Sequence, residues 1–121
     1  MSTASGHTSA IRAKRVIGTS VNDATGKKIG EVEDIVLDKK SNDIMFTVVS
    51  FGGFLGIGEK YHPLPWSTLD YDKEEGGYVV NLTREQLQAA PAYSIDDLTK
   101  GDGSQFREQV YDYYKTPRYW E

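Results

Sequence analysis

The segment Ile44 to Phe51, IMFTVVSF, constrains this chain more than any other. Its β-branched and aromatic side chains crowd a helical turn but pack well on a pleated surface, so it reads as a strand. Side chains alternate across a strand, which places Ile44, Phe46 and Val48 on one face and Met45, Val49 and Phe51 on the other. Both faces are apolar. One can fill a barrel interior; the other also needs cover, from a C-terminal helix, a partner subunit or another protein.

Three further strand-like segments surround it: Arg15 to Val21, Ile29 to Asp38 and Tyr78 to Leu82. They are separated by polar or glycine-rich turns, NDATGKK, KKSND and EEGG, with a short KYHPLPW stretch after the central glycine loop. Strands spaced this closely predict an antiparallel meander closing into a small barrel. A parallel α/β fold needs long helical crossovers, and no connection between Val16 and Leu82 has room for one. Helices are expected late. Thr83 with Gln86 three positions on has capping-box form ahead of a short helix that Pro91 ends. SQFREQVYDYYK then places Phe106, Val110, Tyr113 and Tyr114 on one helical face. The expected organisation of the 121 residues is a flexible tail over 1–13, a barrel over 14–92 and a helical, aromatic-rich extension over 93–121.

With 38% hydrophobic and 26% charged residues the composition is that of an ordinary globular domain, and no apolar run approaches the roughly 20 residues that span a bilayer. The first ten residues carry neither a basic start nor an apolar core, so no secretory signal is read there. Cysteine is absent, which removes disulfides, thiolate chemistry and cysteine-ligated metals and fits a reducing, cytoplasmic setting. A net charge of −4 repels nucleic-acid backbones and anionic surfaces in general, with Arg12, Lys14 and Arg15 as the one basic stretch.

The glycine loop FGGFLGIGEK, residues 51–60, invites a phosphate-binding reading that its details refuse. Gly53 and Gly58 have P-loop spacing, but Glu59 stands where lysine should be, and Pro63 and Pro65 forbid the helix that must follow. The glycines serve the reversal between two strands. What needs explanation is the apolar tip, Phe54, Leu55 and Ile57, where a free monomer normally shows polar residues.

From Val16 to Pro91 the sequence resembles the PRC-barrel family, on VIGTSVNDATGKKIGEVEDIVLD with Gly26 and Gly30 around the first turn, the apolar strand, Pro65-Trp66 with Leu69, and NLTREQLQAAP. The resemblance implies an all-β, antiparallel barrel of about six strands with short C-terminal helices, of a stand-alone bacterial type, acting as an adaptor or assembly module without cofactor and not as an enzyme.

Other candidates are weaker. Glu59 and His62 offer two ligands where a metal needs three or four, although a small-molecule or metal sensor at the barrel mouth is the alternative function they raise. Asp34, Asp38 and Asp43 lack calcium-loop spacing. Abundant carboxylates name no acid–base pair. Aromatics beside Lys115 and Arg118 resemble a base-stacking tail, yet the acidic whole argues against nucleic acid. The expectation is a homodimer or a complex with another protein, formed through Phe54, Leu55 and Ile57 with the Phe106, Val110, Tyr113 and Tyr114 face.

Overall fold

The computed structural model describes residues 10–51, 61–74, 76–98 and 104–121. In chain order the elements are α1 (Ala13–Val16), β1 (Ser20–Asn22), β2 (Lys28–Leu37), β3 (Ile44–Ser50), β4 (His62–Leu64), a 3-10 turn (Trp66–Thr68), β5 (Asp70–Asp72), β6 (Gly77–Val79), α2 (Arg84–Gln88), α3 (Ile95–Leu98) and α4 (Ser104–Tyr113). The strands form one sheet in the order β4-β3-β2-β1-β6-β5.

The expected β2 and β3 appear within a residue of their predicted bounds. The first segment does not. Arg15 and Val16 belong to the helical turn α1, and only Ser20–Asn22 is strand. Gly18, at φ +91°, and the Thr19 hydroxyl, which donates to the Val16 carbonyl at 2.6 Å, close the turn before the strand begins. β4 holds Pro63 opposite Val48, which an edge strand tolerates because its outer side needs no amide donor. The capping box forms as expected: Thr83 N donates to Gln86 Oε1 at 2.8 Å and Gln86 N to Thr83 Oγ1 at 3.1 Å.

The sheet departs from the predicted closed, purely antiparallel barrel in two respects. β1 pairs with β6 in parallel, Val21 opposite Tyr78 and Asn22 opposite Val79, while every other ladder is antiparallel. β6 arrives within its own hairpin with β5 and fills the free edge of β1, so its direction is set by that hairpin and not by a meander. Among the described residues no ladder joins β4 to β5, so the sheet is open. It is nevertheless strongly curled. The six steps from Leu64 to Asp70 link the two edge strands. Even fully extended they reach only roughly 20 Å, and the 3-10 turn among them rises about 2 Å per residue, whereas the edges of a flat six-stranded sheet lie about 24 Å apart. Bulges in β2 between Val32 and Asp34 and between Val36 and Leu37 supply part of the bend.

Curling makes an interior. Val21, Ile29, Val32, Val49, Phe51, Leu64, Tyr78, Val80 and Leu87 fill it, each aliphatic contributing about 1.5–3 kcal/mol over leaving it in water. β6 lies so close to β1 that a Cβ at Gly77 would stand 2.7 Å from the Ser20 carbonyl oxygen. A second cluster joins Met45 and Phe46 of β3 to Val110 and Tyr111 of α4, flanked by Val36, Phe106, Tyr114, Tyr119 and Trp120. The second apolar face of β3 is therefore covered by the chain's own C-terminal segment.

Candidate functional site

Three places carry the residues singled out above. The first is the root of the glycine loop. Phe54, Leu55, Ile57 and Glu59 lie outside the described residues. The two ends between which they run are well defined. Phe51 leaves β3 and His62 opens β4, both buried, with ring centroids 5.1 Å apart and planes at 78°, an edge-on contact. His62 sits across the ladder from Val49, and just before it Tyr61 exchanges two backbone hydrogen bonds of 2.9 Å with Tyr93. The loop thus springs from a root fixed on both strands.

His62 is 1% exposed, and among the described residues neither ring nitrogen has a hydrogen-bond partner. Burial pushes its pKa below the ordinary histidine value; the nearby Leu87 carbonyl opposes this, but it does not reach hydrogen-bond geometry and does not reverse it. The ring is neutral at physiological pH. Among the described residues no three or more histidine, aspartate or glutamate side chains gather where a metal could bind. The Thr47 and Tyr114 hydroxyls are likewise buried and have no partner among the described residues, and burial pushes the Tyr114 phenol upward.

The second place is α4. The structure brings Phe106, Val110 and Tyr114 together in one cluster with Phe46, joined there by Met45, which alternation alone would assign to the opposite face of β3. Val110 is fully buried within the chain, so it is not open to a partner while α4 is docked; Phe106, Tyr113 and Tyr114 keep partial exposure. Tyr113 turns to α2, where its hydroxyl donates to the Gln86 carbonyl. Phe106 stacks against Tyr93 at 4.5 Å, and the Tyr93 and Gln109 side chains are hydrogen bonded at 2.6 Å. Tyr111, absent from the predicted face, is the deeper anchor: it is buried and donates its hydroxyl to the Met45 carbonyl at 2.8 Å. Its position next to Val110 puts it at the edge of the apolar arc, where spacing alone gave no signal.

The third place was not legible in the sequence. Asp38, at the end of β2, accepts from Tyr119 Oη at 2.6 Å, from Arg107 Nη1 at 3.0 Å and from the Lys40 amide at 2.9 Å. Arg107 lies over the Trp120 ring at 4.5 Å. The Tyr119 hydrogen bond, followed by the backbone donors, holds the Asp38 carboxyl below its usual range, and burial together with that carboxylate pushes Tyr119 up to about 12. Asp38 is sheltered at the rim of the molecule, not deep in its core. This network fastens the chain's last residues to the β2–β3 turn, and its members stand 69 and 81 positions apart. The aromatic tail offered above as a base-stacking candidate is thus engaged within the chain: Tyr119 and Trp120 pack on Tyr111 at 5.7 and 4.9 Å.

Among the described residues, a small, curled, six-stranded mixed sheet with the turn α1 ahead of it and α2, α3 and α4 after it makes a barrel-like domain, and the arrangement names no reaction. The PRC-barrel domain profile matches residues 9–87, and the chain belongs to that family. It is also similar to an uncharacterized protein of Deinococcus radiodurans, at 24% identity over 94 residues, covering 78% of this chain and 33% of that protein. The chain spans about a third of the length of this relative. No helix among the described residues is long and apolar enough to cross a membrane.

Proposed function

We propose that this PRC-barrel chain is a non-enzymatic interaction or assembly module, cytoplasmic in keeping with its cysteine-free sequence, that associates with a second copy or another protein through the loop carrying Phe54, Leu55 and Ile57. The observation that supports this most is the loop's root: Phe51 and His62, buried and in edge contact, anchor both ends on paired strands. A loop raised on a rigid scaffold is where binding residues are usually placed. Phe106, Tyr113 and Tyr114 contribute by their exposed edges, while Val110 serves the chain's own core. A stable dimer needs about 800 Å² covered on each partner. Multi-angle light scattering at micromolar concentration tests the proposal. The expected result is a dimer that Leu55→Asp converts to monomer; a monomer whose behaviour Leu55→Asp leaves unchanged overturns it.

A second reading, ligand sensing near the barrel mouth, draws on the two unpartnered nitrogens of His62, because buried polar groups are ordinarily satisfied. A thermal shift with divalent metals or nucleotides that His62→Ala abolishes would favour it. No shift with any of them removes it.

A further inference from the structure

We propose that the N-terminal turn of this chain is a peripheral docking surface for an anionic lipid bilayer. From Ala10 to Gly18 every residue is exposed except Val16, which is buried in the core. Val16 and two backbone bonds on the C-terminal side of the turn, Gly18 N to the Val32 carbonyl at 2.7 Å and Val32 N to the Thr19 carbonyl at 3.0 Å, tie it to the body. Its outward content is specific. Arg12, Lys14 and Arg15 are exposed within four positions, and Ile11 and Ile17 flank them at 38% and 42% exposure. Among the described residues only Leu37 is another large hydrophobic side chain so exposed.

Among the described residues the three cations, Arg12, Lys14 and Arg15, have no side-chain hydrogen bond or ion pair. Of the carboxylates of the adjacent strand, Glu31 is paired with Lys28 at 2.9 Å, whereas Glu33, which accepts from Ser50 Oγ at 2.7 Å, and Asp34, which accepts from the Ile35 amide at 2.7 Å, keep their charge. The net charge of −4 opposes approach to an anionic surface. That opposition is local only within about 8 Å at physiological ionic strength, so the cations nearest the surface decide the sign.

A one-turn helix exposed at every position but one presents, among the described residues, no groove that would enclose a peptide. A planar interface suits it better. Cations meet the headgroup phosphates while aliphatic tips on either side enter the acyl boundary, so that electrostatic attraction and apolar burial add in the binding. The inference is independent of the proposed self-association, which uses the apolar side chains Phe54, Leu55 and Ile57 and predicts no response to lipid.

Flotation of the full chain with vesicles of pure phosphatidylcholine, or with roughly one-third phosphatidylglycerol added, tests it. Expected is binding to the anionic vesicles alone, weakened by salt, and reduced roughly 10- to 100-fold in an Arg12→Glu, Lys14→Glu, Arg15→Glu variant whose melting temperature is unchanged. Ile11→Ser with Ile17→Ser should weaken it severalfold. Equal partition onto both vesicle types, retention of binding by the triple variant, indifference to the serine changes, or no binding at low salt would each overturn the proposal. So would equally tight binding to soluble polyglutamate, which would reassign the patch to an acidic protein.

Discussion

Replacing Asp38 by Asn isolates the network that fastens the C-terminal segment. The carboxylate accepts from Tyr119 Oη at 2.6 Å, Arg107 Nη1 at 3.0 Å and the Lys40 amide at 2.9 Å. An asparagine of the same shape keeps one carbonyl oxygen for these donors and turns an NH2 toward the others, so at least one donor faces a donor. Hydrogen bonds to a charged acceptor are worth about 1.5–3 kcal/mol each when removed. The Arg107 side chain is 22% exposed against 8% for Asp38, so water softens its part more than that of Tyr119. The net loss is then about 2 kcal/mol, a fall in melting temperature of roughly 6–10 °C for a domain of this size. Calorimetry at neutral pH reads it, and a double-mutant cycle with Tyr119→Phe, which keeps the ring against Tyr111 and Trp120, should show coupling of about 1 kcal/mol. A loss under about 0.5 kcal/mol, or strict additivity of the two changes, would refute the claim that this carboxylate fastens the tail.

Acid should weaken the fold in two stages. His62 has a folded pKa below the 6.5 of an exposed histidine, so the unfolded chain takes up the proton first and stability declines as pH falls below that value. Asp38, held below its ordinary 3.8, adds its own loss only as pH drops past that point. His62→Leu should flatten melting temperature against pH between 6.5 and the carboxylate range; an unchanged slope there would show that the imidazole is not the group responsible. Gly77→Ala forces a methyl against the Ser20 carbonyl oxygen and should cost about 1–3 kcal/mol in chemical denaturation, and a wild-type midpoint would mean that β1 and β6 are less tightly apposed than described.

Local pattern was enough for much of this protein. The composition of Ile44 to Phe51 determined a strand with two faces to cover, Thr83 with Gln86 determined where α2 begins, and the order of weak motifs from Val16 to Pro91 determined the family. These depend on interactions over a few residues, or on periodicity, which a sequence displays directly. Tertiary structure alone decided the parallel pairing of β1 with β6, because strand direction there follows from how a distant hairpin returns to a curled sheet. It also decided what covers the second face of β3, and with it that Val110 is core while Tyr111 is the anchor. The Asp38–Arg107–Tyr119 network was invisible for the same reason: each residue type is unremarkable where it stands, and only folding brings an aspartate at the end of β2 to side chains 69 and 81 positions away.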